Sequence, residues 1–419
     1  MEKRDLDNLR EVVEETIKKE GLSRREALKL MGLSSAALFG GGAVSKAEAA
    51  TEAKASSAKG KILIVGGGLA GMSTAARLVR NLENPDITVV EPNPRSVSYQ
   101  PGLTLVGGYE WKSSDIIYNT SDFVPTGVKW VQDKVVEFDP ENNRVKTQKG
   151  KTIEYDFMVI AGGLELDFGR IKGLEEIGTL YTLGENSKAA EILAKGNAAS
   201  LYFVDGAVLM RRNLDNFINE CKSGKKLKAV FTHPNTPIKC GGAPKKIMFL
   251  TDSNLRRAGA RENAELVFYP NGGKMFGVPE YHKAILNLFE EKGLGYHYKH
   301  NLIEIDLEKK IAVFDKHDRT KKVYDPDLEE EIEEVIHERV EVPYDMIHIT
   351  PPMKAPDFIG KSPVGSGAGF IPVDFETLQH KKYKNIFSLG DIAAVPLGKT
   401  GGSARKQYKV VVDNLIAAM

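Results

Sequence analysis

Lys61-Ile-Leu-Ile-Val65-Gly66-Gly67-Gly68-Leu69-Ala70-Gly71 is the stretch that decides the fold. Its first five residues form a short apolar run of the kind buried on both faces of a parallel sheet. The glycines interrupt it at once. Met72 to Leu82 then reads as a helix, and Ile87-Thr-Val-Val90 as a second strand ending on Glu91. Strand, glycine loop, helix, strand and acid in that order make a βαβ dinucleotide fingerprint. Gly66 permits the tight turn, Gly68 lets a pyrophosphate approach the backbone, and Gly71 lets helix and strand pack closely. Gly67, Leu69 and Ala70 complete the phosphate loop, whose helix start offers free N–H groups to an anion. Glu91, 20 residues after Gly71, is placed to accept hydrogen bonds from ribose hydroxyls.

Outward from this core, two further apolar strands end in small residues: Tyr155-Asp-Phe-Met-Val-Ile160 before Ala161-Gly-Gly163, and Asn385-Ile-Phe-Ser-Leu389 before Gly390-Asp391. An internal echo organises the rest. Trp130 to Asp139 begins a strand-rich stretch that leads to Tyr155, and Tyr298 to Asp306 one that leads to Tyr344-Asp-Met-Ile-His-Ile349. Both predict a small β-meander closing a nucleotide-type domain. The second copy carries an acidic run, Leu328 to Glu341, expected as a solvated helix or hairpin. A second parallel-sheet strand, Leu227 to Thr232, runs into His233-Pro-Asn-Thr-Pro-Ile-Lys-Cys240-Gly-Gly-Ala-Pro-Lys-Lys246, where Pro234 and Pro237 remove donors and no glycine fingerprint forms. A nicotinamide dinucleotide is therefore not expected there. The domain reading is a leader over 1–49, a first dinucleotide part over 60–170, a degenerate second dinucleotide-type domain over 171–300, and a meander with the remainder of the first domain over 301–419.

The 419 residues carry 58 Lys+Arg against 57 Asp+Glu, a net charge of +1, which excludes the basic footprint of a nucleic-acid binder. Two cysteines allow neither a disulfide scaffold nor a thiolate metal cage, and no metal site is expected; nor does the chain hold a Cys-x-x-Cys-His haem attachment. Ser23-Arg24-Arg25, an apolar stretch from Leu30 to Val44, and Ala47-Glu48-Ala49 read as a twin-arginine leader with its cleavage site, which predicts export to the periplasm. Of the two cysteines, Cys221 shares helical spacing with Leu214, Phe217 and Ile218 and is expected in a core. Cys240 lies in the Pro/Gly loop, beside Lys239, Lys245 and Lys246.

The segment Phe231-Thr-His-Pro-Asn-Thr-Pro-Ile-Lys-Cys-Gly-Gly-Ala-Pro-Lys-Lys-Ile-Met248 resembles the cysteine segment of the sulfide:quinone oxidoreductases, the mitochondrial type in particular. Tyr99-Gln100-Pro101, Leu166-Asp167, Thr350-Pro-Pro-Met353, Glu376-Thr-Leu-Gln-His380 and Lys399-Thr400 carry the same resemblance, which runs from about residue 60 to the end of the chain. The flavin subunit of flavocytochrome c sulfide dehydrogenase is a more distant likeness. The resemblance implies two Rossmann-like domains of the disulfide-reductase type and non-covalent FAD, no cysteine lying between Glu91 and Gly108. It implies Cys240 as the sulfur-handling thiol and contacts to FAD from Gln100, from the Val135 backbone, from Gly390 and Asp391 at the ribityl chain, and from Lys399 at the pyrimidine edge. Glu165 and His348 are candidate proton relays. The family places a second redox cysteine directly after Gly-Asp; here that residue is Ile392. Quinone-using relatives continue past this chain's last residue, Met419, with amphipathic helices at the bilayer surface. Acceptors are therefore left open between quinone, with peripheral membrane attachment, and a c-type cytochrome. A catalytically degenerate flavin-binding partner protein is the reading from another class.

Overall fold

The computed structural model describes residues 55–97, 100–184, 186–325, 330–396 and 398–419; the leader expected over 1–49 lies outside them. Numbering the principal elements in chain order, the first half runs β1 (Lys61–Val65), α1 (Leu69–Asn81), β2 (Asp86–Val90), α2 (Gln100–Gly108), β3 (Lys129–Val131), β4 (Val135–Asp139), β5 (Arg144–Thr147), β6 (Thr152–Glu154) and β7 (Phe157–Ile160). The second half runs β8 (Ala198–Ala199), α3 (Val204–Lys222), β9 (Leu227–His233), α4 (Ala243–Arg257), β10 (Ala264–Pro270), β11 (Gly295–Tyr296), β12 (His300–Asp306), β13 (Ile311–Asp325), β14 (Glu330–Pro343) and β15 (Met346–His348), followed by β16 (Ile386–Ser388) and α5 (Gly401–Ala418).

The first sheet is parallel, in the order β16-β7-β1-β2-β3, with Ile62 level with both Ile87 and Phe157 and Ile386 level with Met158. Four of β1's five residues are buried, as a strand covered on both faces requires. The last strand arrives from the far end of the sequence, so the first domain is built from two distant pieces, as read from the sequence. The helix after the glycine loop starts at Leu69, three residues earlier than expected, because its hydrogen-bond ladder begins with Met72 N–H donating to Gly68 O at 3.0 Å.

The second sheet is also parallel, in the order β8-β15-β9-β10-β11. Strand β15 lies between β8 and β9 here, with Ile347 level with both Ala198 and Val230. The sequence division had grouped residues 301–419 with the meander and the first domain. Residues 346–348 instead complete the second sheet, and the β12-β13-β14 meander is an excursion between its strands. Such a three-residue strand has no periodicity of its own to announce the sheet it joins.

The two meanders, β4-β5-β6 and β12-β13-β14, are antiparallel as anticipated. From Glu330 on, the acidic run is a strand: β14 pairs with β13, and Glu334, Glu331 and Glu338 meet Lys321, Lys322 and Arg319 at 2.8, 3.2 and 2.8 Å. Opposite charges on facing strands neutralise a segment that looked uniformly acidic in sequence.

Candidate functional site

The phosphate loop has the geometry its glycines imply. Gly66 has φ of +104°, and a Cβ there would lie 2.5 Å from Ala161 O. A Cβ on Gly71 would meet Gly66 O at 1.9 Å, so α1 can seat against the loop only without one. A Cβ on Gly68 would meet nothing within 4 Å, and Leu69 beside it is 43% exposed: this face of the loop is open. Glu91 ends β2 with its carboxylate accepting from Gly67 N–H at 2.9 Å and from Asn93 N–H at 2.8 Å. Burial raises its pKa against the opposing pull of those two donors.

The Gly-Asp segment meets this loop directly. Gly390 follows β16 with φ of +76°, and a Cβ on it would stand 3.1 Å from the Ala70 Cβ. Asp391 is half-buried, and its carboxylate accepts no hydrogen bond among the described residues. Burial raises its pKa, with Lys239 and then Lys399 pulling the other way. Lys399 sits just before α5; its Nζ donates to the carbonyls of Asp391 and of Ala393, the latter at 3.1 Å, and lies 4.2 Å from the Phe370 ring centre. Burial lowers its pKa to about 8, against the attraction of Asp391.

Cys240 completes the chain of contacts from the other domain. Its N–H donates to Lys399 O at 2.7 Å, and its φ of +55° is a left-handed conformation rare outside glycine. Ala243 N–H donates to Cys240 O at 2.8 Å, so the cysteine stands at the start of α4, where helix ends favour negative charge. Lys245, fully inside the protein, donates to Gly241 O at 2.9 Å; burial lowers its pKa to about 8 while Cys240 supports its charged form. Lys239 is likewise lowered to about 8 by burial, opposed by Asp391, and donates to Thr182 Oγ1. Lys246 is exposed. The proline loop is tied down: Asn235 N–H reaches Asn301 Oδ1 at 3.1 Å, and Met353 N–H reaches Thr236 Oγ1 at 2.9 Å.

The remaining candidates are placed as follows. Gln100 opens α2, and its Nε2 donates to Leu201 O at 2.6 Å. Val135 is buried at the start of β4 in the first domain's core. Glu165 lies 3.9 Å from Lys354 Nζ. His348 is fully buried in β15, its Nε2 accepting from Leu201 N–H at 3.2 Å, and burial lowers its pKa to about 3. Ile392 is fully buried in the first domain's core. Cys221 is fully buried on the inner face of α3, as its spacing indicated. Sequence reasoning passed over Ser200 and Tyr202, which follow the two-residue strand β8 and carry no motif.

Two parallel-sheet dinucleotide-type domains, joined where a glycine loop, a Gly-Asp turn and a cysteine loop meet, define the class of two-domain flavin and pyridine-nucleotide oxidoreductases. Residues 60–204 match the pyridine nucleotide-disulphide oxidoreductase family. The chain is 37% identical over 351 residues to the mitochondrial sulfide:quinone oxidoreductase of Mus musculus, covering 84% of this chain and 69% of that one. It is 39% identical over 358 residues to the mitochondrial sulfide:quinone oxidoreductase of Dictyostelium discoideum, covering 85% and 70%. The crystal structure of the sulfide:quinone oxidoreductase of Aquifex aeolicus shares the fold, with a TM-score of 0.64 at 20% identity over 85% of this chain and 76% of that one. The chain belongs to the sulfide:quinone oxidoreductase family.

Proposed function

We propose that the protein oxidises sulfide, with Cys240 handling the sulfur, FAD taking the electrons and quinone receiving them. The observation that carries this is the hydrogen bond from Cys240 N–H to Lys399 O, which holds the half-buried cysteine of one domain against the lysine that grips the Gly-Asp turn of the other. The open face at Gly68, the pinned Glu91 carboxylate and the Asp391 carboxylate, unpaired among the described residues, fit the pyrophosphate, ribose and ribityl hydroxyls of FAD. Bound there, FAD supplies a two-electron acceptor, which no side chain of the site provides.

The sulfur of sulfide bonds to Cys240 Sγ; the thiol and hydrogen sulfide together give up two protons and two electrons and leave a persulfide. Lys245 holds a positive charge beside the reacting sulfur below about pH 8. With Ile392 at the position of the family's second cysteine, the reaction runs on Cys240 alone. A c-type cytochrome is the alternative acceptor. We further propose export by the twin-arginine route, on the strength of residues 23–49, and peripheral attachment at the bilayer to reach quinone; among the described residues no helix is long and apolar enough to cross a membrane.

Anaerobic stopped-flow mixing with sulfide, followed by a quinone or by cytochrome c, tests the proposal. Flavin bleaching by sulfide and rapid recovery on adding quinone are expected. A flavin that sulfide leaves oxidised points instead to the degenerate partner protein, and recovery with cytochrome c alone to the other acceptor.

A further inference from the structure

At the carboxyl edge of the second sheet, three adjacent parallel strands end side by side: β8 at Ala199, β15 at His348 and β9 at His233. This edge is where open parallel sheets bind their ligands. The residues that follow are Ser200 to Tyr202 after β8, Thr350 after β15, and the Cys240 loop after β9. The Thr350 N–H donates to Thr232 Oγ1 at 2.9 Å, which fixes the second of these segments to the end of β9. The Tyr202 ring lies 6.4 Å from that of His348.

Ser200, Tyr202 and Thr350 are at most 2% exposed, yet none of their hydroxyls makes a hydrogen bond of ordinary geometry among the described residues; those of Tyr202 and Thr350 lie near enough to each other for a weak one. Buried polar atoms are seldom left in that state, since each unmet group costs free energy. The Thr350–Met353 segment is bonded to the cysteine loop, with Lys239 N–H donating to Met353 Sδ at 3.3 Å and Met353 N–H to Thr236 Oγ1 at 2.9 Å. Burial pushes the Tyr202 phenol well above its ordinary range, the Cys240 sulfur adds to that, and the Thr350 hydroxyl opposes it. Tyr202 and Thr350 thus border the loop that carries the half-buried Cys240 thiol, with Ser200 two residues before Tyr202.

We propose that the Tyr202 and Thr350 hydroxyls, with Ser200 behind them, form a receptacle that hydrogen-bonds the terminal sulfur of a persulfide carried on Cys240. The inference rests on the reading of Cys240 as the sulfur-handling residue. A persulfide anion is a soft acceptor without donors of its own, and hydroxyl donors in a dry pocket suit it. A chain lacking the family's second cysteine has nowhere else to pass that sulfur within the site. The receptacle would hold it until an outside nucleophile removes it.

The test uses the full chain with FAD bound, kept anaerobic and treated with sodium tetrasulfide. Cys240 thiolate attacks a sulfur of the tetrasulfide; the new S–S bond forms as the old one breaks, and the shorter polysulfide leaves with the electron pair, so no added oxidant is needed. Intact-mass spectrometry and thiocyanate release by cyanide then report the bound sulfur, and dithiothreitol reports how fast it is stripped. Wild type is expected to load and Cys240→Ser is not. Tyr202→Phe and Thr350→Val are expected to load but to lose the sulfur roughly 5-fold faster each, the worth of one net hydrogen bond. Because the Tyr202 hydroxyl makes no hydrogen bond of ordinary geometry at rest, Tyr202→Phe is also expected to keep the thermal midpoint of wild type. Stripping at the wild-type rate in both variants, or a clear drop in midpoint for Tyr202→Phe, overturns the receptacle while leaving Cys240 its role. A wild type that takes up no sulfur, or a Cys240→Ser chain that loads equally, overturns the Cys240 reading and the receptacle with it.

Discussion

The backbone N–H of Cys240 donates to the carbonyl of Lys399 across 2.7 Å, and Lys399 Nζ in turn grips the carbonyls of Asp391 and Ala393. Residues 159 positions apart in the chain are thereby one hydrogen bond apart, and the cysteine loop is anchored to the Lys399 segment through main chain, without use of the Cys240 side chain; the Lys399 side chain then carries the link on to the Gly-Asp turn. Side-chain changes at Cys240 are therefore expected to alter chemistry while leaving the loop in place.

Cys240→Ser is expected to abolish sulfide-dependent bleaching and to keep a full flavin load. Cys221→Ser should leave the rate near wild type and cost roughly 1 kcal/mol of stability, because Cys221 is fully buried on α3 with its thiol 3.7 Å from Asn263 O and burial pushing its pKa up to about 11. Stopped-flow absorbance on the two variants decides this. Loss of the reaction in Cys221→Ser would make the buried thiol the redox partner.

Gly68→Val is expected to empty the cofactor site without unfolding the chain. A Cβ at Gly68 meets no protein atom within 4 Å, and its φ of −72° suits any residue, so the valine fills space meant for the pyrophosphate. Flavin absorbance of the purified variant should be near zero, with a thermal midpoint close to that of wild-type apoprotein. In wild type, acid precipitation should release the flavin into the supernatant. A yellow Gly68→Val protein would remove the phosphate-loop assignment.

Lys245→Met tests the buried charge beside the cysteine. The folded-state pKa of Lys245 is lowered to about 8, against roughly 10.4 in an unfolded chain. Below pH 8 the lysine is charged in both states and its burial costs the fold up to roughly 3 kcal/mol; that cost fades between pH 8 and about 10.4, where the folded protein sheds the proton first. The variant should therefore be more stable than wild type at pH 7, by an amount that shrinks toward pH 10 in urea titrations. Its sulfide reaction should be slower at pH 7 and lack the fall above pH 8 expected of wild type. Equal stabilities at pH 7 would contradict the placement of this charge.

NADH and NADPH are expected to leave the flavin oxidised on the timescale of the sulfide reaction. The loop that would have to cradle a second pyrophosphate holds Pro234 and Pro237 and is bonded to Asn301 and Met353. Stoichiometric anaerobic bleaching by NADH would show that the loop opens.

By itself the sequence determined the first dinucleotide domain, the parallel character of both sheets, the burial of Cys221 and the family. These features are local: glycines at fixed spacing, apolar runs of strand length and a 3.6-residue period each express a backbone requirement within a few residues. It left open whether 328–341 was helix or hairpin, because alternating acids satisfy either until basic residues on β13 are seen opposite them. It divided the chain at 300, where β15 has too few residues to signal that it belongs to the second sheet. It offered His348 as a relay without showing that the residue is fully buried and accepts from Leu201 N–H. Only the tertiary structure decided that Lys399 meets Cys240, that Lys245 turns inward, and that Ser200, Tyr202 and Thr350 end adjacent strands with no hydroxyl in a hydrogen bond of ordinary geometry among the described residues. Those are consequences of which strands lie side by side, and strand order is set by packing of the whole sheet rather than by any short stretch of the chain.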